Sequence, residues 1–280
     1  MTKEPKFFFD TTEEKYIRST WDFLKTNGFS GKQVLGVTTN PNALSKVACN
    51  DMETFNKLIP ALCKLVTEIR GGQAGGVVYV QFPQMTMSKE LMRKYIDHVV
   101  KFSDGVTKIA LKIPPYERVL KMVPEFKKKL DPHVTGLADC GTALKCISYG
   151  VRYVTLITGR MEEKGIDAKA QVRYVMQANL GQTEVIAGSM RTMEGLAWVV
   201  EEGMVPTIGS RVFDQMLAGG AEGAKEFMGM WDKVKPTPRE FVQKDEFAPL
   251  ITQAMTDLSL SFFEQMDSLG KPLLKSFEQQ

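Results

Sequence analysis

Histidine is nearly missing from this chain: its 280 residues hold only His98 and His133, in separate segments. That excludes HExxH-type and multi-histidine zinc centres, which need several imidazoles converging on one ion. The four cysteines, at 49, 63, 140 and 146, form no CxxC pair and no framework of close spacings. Reduced thiols in a cytoplasmic chain fit them better than disulfides or a structural metal. No Gly-x-Gly-x-x-Gly follows the first strand pattern, so an open dinucleotide-binding sheet loses its main support. No apolar run approaches the ~20 residues that span a bilayer, and Phe7-Phe8-Phe9 is too short for a signal-peptide core before Asp10 ends it. No Asn-x-Ser/Thr acceptor occurs. Lys and Arg (36) against Asp and Glu (33) leave +3, too near neutrality to call for nucleic acid or an acidic membrane as a partner.

What is there is an ordinary globular composition, 43% hydrophobic and 25% charged, long enough for one large domain or two small ones. Eight short runs rich in Val, Ile, Phe, Tyr and Leu, at 6–10, 33–38, 76–81, 106–113, 133–138, 151–157, 183–189 and 204–208, read as strands between Gly, Pro, Asn and Asp. Amphipathic stretches separate them; Leu58, Leu62, Leu65 and Ile69 stand at helical spacing, as do Leu91, Tyr95 and Val99. Regular strand–helix alternation predicts an α/β fold, a (β/α)8 barrel, over residues 1–219. Residues 220–280 form a helical extension: Pro236 and Pro238 mark a connector, and apolar residues from Phe247 to Leu269 keep helical spacing up to a stop at Gly270-Lys271-Pro272. So wide a stripe must be buried, against its own barrel or a neighbouring subunit.

Catalytic groups of such barrels sit at the C-terminal strand ends. Polar residues there are Asp10, Thr38-Thr39-Asn40, Gln81, Lys112, Thr135, Arg160, Ser189 and Arg191. On strand four, alternation sends Ile109, Leu111 and Ile113 to one face and Lys108, Ala110 and Lys112 to the other. Lys112 therefore points inward, where desolvation turns an ammonium into a competent amine nucleophile for carbonyls; the plainer alternative is a lysine snorkelling from a strand end to water. Arg160 after Thr158-Gly159, and Arg191 after Gly188-Ser189, supply the forked donors and loop N–H groups that a phosphate monoester needs. Arg191 could equally be a first-turn residue of the next helix. Asp10 is either a general acid/base or a charge anchor. His133, two residues below Thr135, reads as a satisfied core histidine, and the 16 methionines as core filler.

Together Phe9-Asp10-Thr11, Gly36-Val37-Thr38-Thr39-Asn40-Pro41, Leu111-Lys112-Ile113-Pro114, Gly159-Arg160 and Ala187-Gly188-Ser189-Met190-Arg191 resemble, in the same order, the transaldolase family, which includes the fructose-6-phosphate aldolases. The resemblance covers about residues 6–219. It implies a class I reaction without metal or cofactor, in which a lysine Schiff base carries a dihydroxyacetone unit between sugar phosphates, as in the pentose phosphate pathway. Lys112 would be the nucleophile, Asp10 the acid/base, Asn40 a ligand for the donor's hydroxyls, with Thr38 and Thr39 beside it. Thr135 and Gln81 would handle the water, and Arg160, Ser189 and Arg191 the phosphate. A ketose donor, an aldose acceptor and a second copy of the chain in a homo-oligomer are the expected partners. Three departures stand out. Gln81 occupies a position where most transaldolases have glutamate and is similar to the aldolase branch. Ile157 stands where those aldolases carry a tyrosine, and Asn42 where the usual motif has serine. Two other readings follow: an aldolase-type C–C lyase, and a sugar-phosphate-binding barrel with little turnover.

Overall fold

The computed structural model describes residues 4–84, 87–179, 181, 183–234 and 252–279. The eight strands follow one another in chain order as a closed parallel barrel, the (β/α)8 architecture that the alternation predicts. The chain divides into two compact units. One holds residues 6–113, 124–132 and 263–280; the other holds 114–123 and 133–262 together with the start of the chain.

In the first unit the order is β1 (Phe7–Phe9), α1 (Glu14–Thr26), β2 (Val34–Thr38), α2 (Pro41–Lys46), α3 (Met52–Ile69), β3 (Gly76–Gln81), α4 (Lys89–Val99) and β4 (Thr107–Ile113). The helices start where side chains supply the missing acceptors: Asp51 accepts from Thr54 N at 2.7 Å before α3, and Ser88 from Leu91 N at 3.1 Å before α4. α3 buries Phe55, Ile59, Leu62, Val66 and Ile69 along one stripe. Gly36 permits the close approach of β2 to β3, since a Cβ there would lie 1.7 Å from Val77 O. At the opposite end of the strands Arg70 donates to Val34 O at 2.6 Å and Ala74 O at 2.9 Å, tying α3 to the start of β2. The β3–β4 register pairs Val77 with Lys108, Tyr79 with Ala110 and Gln81 with Lys112. Lys108 is exposed and Lys112 is buried, so the alternation of β4 holds while its two lysines meet different surroundings.

The short α5 (Glu117–Leu120) and α6 (Val123–Phe126) lead to β5 (Asp131–Leu137). The second unit then runs through α7 (Cys140–Ser148), β6 (Tyr153–Leu156), α8 (Thr158–Glu163), α9 (Ala168–Ala178), β7 (Glu184–Ala187), α10 (Met193–Glu201), β8 (Val205–Ile208), α11 (Ser210–Ala218) and α12 (Gly220–Gly229). The β5–β6 register is broken between Val134 and Leu137, where Gly136 takes φ 76°, the left-handed conformation that glycine adopts without strain. All four cysteines are buried and free.

The final helix, α13 (Gln253–Glu278), corrects one expectation. It does not stop at Gly270-Lys271-Pro272 but runs through both glycine and proline. Gly270 is needed for close packing: a Cβ there would lie 1.6 Å from Pro83 O. A proline inside a helix costs about 3 kcal/mol, and tertiary contacts on the following turn offset it. Ser276 Oγ accepts from Met52 N at 2.9 Å, and the Phe277 ring lies edge-on to Tyr95 at 5.4 Å. The apolar stripe of α13, including Met255, Leu258, Phe262, Met266, Leu273 and Phe277, is buried within this one chain. The expected connector at Pro236 and Pro238, and the apolar residues Phe247, Leu250 and Ile251, lie outside the described residues. No helix among the described residues is long and apolar enough to cross a membrane.

Candidate active site

At the C-terminal ends of β1–β4 the polar residues gather around one amine. Lys112 is 6% exposed. Its Nζ donates to Thr38 Oγ1 on β2 and stands 6.0 Å from the centre of the Tyr79 ring on β3. Burial pushes the ammonium down to about 8, and Asp10 pulls in the opposite direction without cancelling the shift. Near pH 8 roughly half of this lysine is therefore free amine, against well under one part in a hundred for an ordinary solvated lysine. The snorkelling alternative fails, because the nitrogen is buried with its stem.

Asp10 follows β1 and is half-buried. It accepts from Asn40 Nδ2 at 3.5 Å, a long and weak contact. Asn40 has two duties: its Oδ1 accepts from Ala43 N at 2.8 Å as the cap of α2, which turns its NH2 toward Asp10. Pro41 at the first helical position fits the same cap. Thr38 and Thr39 separate by alternation. Thr38 meets Lys112, whereas Thr39 is held by its backbone N–H on Tyr79 O at 2.9 Å and keeps its hydroxyl buried with no hydrogen-bond partner among the described residues.

Gln81 is 2% exposed, and neither its amide oxygen nor its amide nitrogen has a partner among the described residues. Its own carbonyl is anchored by Tyr95 Oη at 3.0 Å. A buried primary amide left unpaired costs roughly 1–3 kcal/mol per group, so a donor and an acceptor beside Lys112 are held ready for a water or a polar ligand.

The second unit carries a different set. His133 is fully buried and hydrogen-bonds through Nε2 to Thr155 Oγ1 on β6. Thr135 is buried two residues further along β5, at the start of the register break. Thr207 on β8 donates to Ala187 O at 3.3 Å. Beyond β6, Ile157 is 2% exposed and opens α8 with its backbone, donating N–H to Leu137 O at 2.9 Å. Arg160, on α8, places its guanidinium 5.1 Å from the centre of the Phe262 ring of α13. Ser189 sits at φ 63°, and its carbonyl would lie 1.8 Å from a Cβ on Gly159. Only glycine lets the β6 and β7 loops approach that closely.

Arg191 donates from Nε to Glu163 Oε1 at 2.7 Å, and its carbonyl accepts from Gln215 Nε2 at 3.2 Å. The hydrogen bond and charge of Arg191 hold the Glu163 carboxyl below the usual range. Arg191 is thus an ion-paired loop residue and not a bare first-turn cation. Three participants escaped the sequence reading: Tyr79 against Lys112, Phe262 against Arg160, and Glu163 against Arg191. The third had only a partial signal: Glu163 stands three residues after Arg160 on one helix face, but its partner Arg191 is 28 residues away. The second had none, because 102 residues separate the partners. No group of three or more His, Cys, Asp or Glu side chains suited to a metal ion occurs among the described residues.

No family model matches the chain. It is 26% identical over 237 residues to a probable transaldolase of Streptococcus agalactiae serotype V, covering 82% of this chain and 99% of that protein. It is 27% identical, with the same coverage, to a probable transaldolase of Streptococcus pyogenes serotype M2. Among solved structures, a mutant tryptophan synthase alpha-subunit from Pyrococcus furiosus superposes with a TM-score of 0.51 at 13% identity, covering 84% of this chain and 99% of that one. That likeness concerns the fold alone. Over four-fifths of its length, then, the chain is similar to proteins named as probable transaldolases.

Proposed function

We propose that this protein is a class I aldol enzyme that transfers a dihydroxyacetone unit between sugar phosphates. The observation that carries the reading is Lys112: a buried amine with a pKa of about 8 at the end of β4, hydrogen-bonded to a threonine hydroxyl. Its free amine adds to the keto carbon of a ketose phosphate, and loss of water gives the iminium ion. Asp10 then takes the proton of the C4 hydroxyl, the C3–C4 bond breaks, and its electron pair flows into the iminium to leave an enamine and an aldose phosphate. Addition of the enamine to an acceptor aldehyde forms the new C–C bond, and hydrolysis returns the amine. Asn40 holds the donor's hydroxyls; Thr38 and Thr39 shape the wall beside them, with Thr38 orienting the Lys112 nitrogen. Gln81 and Thr135 position the water of imine formation and hydrolysis. Arg160, Ser189 and Arg191 hold phosphate.

Borohydride reduction in the presence of fructose 6-phosphate tests this. A donor-derived mass on the peptide containing Lys112 is expected, and a label on Lys108 would overturn the mechanism. A second reading, the aldolase, rests on the resemblance of Gln81 to the aldolase branch, although a neutral amide returns protons to an enamine less readily than a carboxylate does. Fructose 6-phosphate consumption with and without erythrose 4-phosphate separates the two, and no consumption in either arm would leave a sugar-phosphate-binding barrel.

A further inference from the structure

The Glu163 carboxylate stands among three arginines that arrive from three successive strand ends. Arg160 precedes it by one turn of α8 after β6, Arg191 follows β7, and Arg211 opens α11 after β8. Arg191 reaches Glu163 through Nε alone, at 2.7 Å, and no described residue accepts from its two terminal nitrogens. Its stem is steered as well: a Cβ on Gly159 would lie 3.3 Å from Arg191 Cγ. Arg211 and Arg160 add to the pull of Arg191 on the Glu163 carboxyl. The neighbouring Glu162 takes no part, since it turns to α10 and accepts from Trp198 Nε1 at 2.7 Å. A carboxylate facing three guanidinium groups lies where forked donors could take a phosphate monoester.

We propose that Glu163 is a positioning residue of this anion arm: it holds Arg191 by the Nε edge so that the terminal fork faces the ligand, and its negative charge opposes the incoming anion. Arg211 thereby joins Arg160 and Arg191 as the third cation of the arm. The inference rests on the phosphate reading above and deepens it. A guanidinium has two hydrogen-bonding edges, and occupying the Nε edge leaves the terminal one whole for bidentate contact. The carboxylate also keeps three like charges together when the arm is empty, at the cost of repelling the incoming anion. These two effects separate on substitution. Glutamine keeps an acceptor oxygen for Arg191 and removes the charge, whereas alanine removes both.

Calorimetric titration of inorganic phosphate into the whole protein tests this in wild type, Glu163→Gln, Glu163→Ala, Arg211→Ala and Arg160→Ala. Glu163→Gln is expected to bind about two- to fivefold more tightly than wild type, the scale of a single exposed charge pair. Glu163→Ala should bind more weakly than Glu163→Gln by a similar factor, and Arg211→Ala more weakly than wild type. KM for fructose 6-phosphate should follow the same order. Equal affinities for the Gln and Ala variants would overturn the positioning role, and a Gln variant no tighter than wild type would overturn the opposing role of its charge. If Arg160→Ala weakens phosphate but the Glu163 variants show no order, the inference fails and the phosphate reading stands. If wild type binds no phosphate, and Arg160→Ala weakens phosphorylated and unphosphorylated donors equally, both fail.

Discussion

The two units of this chain carry their charge in opposite ways. At the ends of β1–β4 a single lysine is almost wholly buried and held by a neutral hydroxyl. At the ends of β6–β8 three arginines share one half-exposed carboxylate. Desolvation penalises the charged form of an isolated amine, so burial raises the share of Lys112 that is free amine near pH 8. Guanidinium is too basic to change in this way, so its surroundings alter only where the charge points and how much is left over. The first arrangement suits bond formation and the second suits recognition of an anion.

The largest expected effect is on the first side. Lys112→Met should abolish borohydride trapping and fructose 6-phosphate turnover, because no other amine stands in that position. The same variant should be more stable than wild type below pH 8. The sign follows from linkage: folding lowers this lysine from about 10.5 to about 8, so between those values the unfolded chain holds more protons. Stability therefore rises with pH across that window, and the full penalty, about 3 kcal/mol, applies below it. Chemical denaturation of wild type and Lys112→Met at pH 7 and pH 10 measures it; equal differences at both would refute the burial argument.

Asp10→Asn should cost about 10²–10⁴-fold in kcat, the range for a general acid/base, while leaving the trapped mass on Lys112. Loss of trapping together with turnover would mean that Asp10 instead serves imine formation.

Smaller effects belong to the second side. Arg160→Ala and Arg191→Ala should each weaken phosphorylated donors by roughly 1.5–3 kcal/mol and unphosphorylated dihydroxyacetone far less. Raising ionic strength should widen KM for the phosphorylated donor and leave the pH dependence set by Lys112 in place, because screening reaches exposed charges and not buried ones. A salt-dependent shift of that profile would erase the contrast between the two units.

The smallest effect concerns partition. With Ile157 offering no hydroxyl and Gln81 no exchangeable carboxyl proton, enamine protonation should be slow and transfer should outrun cleavage. Ile157→Tyr should raise the acceptor-independent share of fructose 6-phosphate consumption. Ile157 is 2% exposed, and overpacking there costs roughly 1–3 kcal/mol, so the ratio of the two rates is the measurement and not either rate alone. His133→Ala should leave the ratio unchanged if His133 only supports Thr155, and should raise the transfer share if His133 acts as the acid.

Much of this was legible in the residues themselves. Strand periodicity is local, so eight strands, their order and the inward face of Lys112 follow from alternation over stretches of a few residues. Turn chemistry is local too: Asn40 before Pro41 and Gly159 before Arg160 announce a cap and a tight loop. By itself, then, the sequence determined the barrel and the residues at its strand ends, Gln81 and Ile157 among them. Tertiary structure alone decided how far Lys112 is desolvated, that the Gln81 amide has no partner among the described residues, that Glu163 takes the Nε edge of Arg191 and that Phe262 lies under Arg160. It also decided that α13 runs through Gly270 and Pro272. The reason is the same in each case: desolvation, hydrogen-bond pairing and the tolerance of a helix for proline are set by groups distant in the chain, which no local pattern of residues specifies.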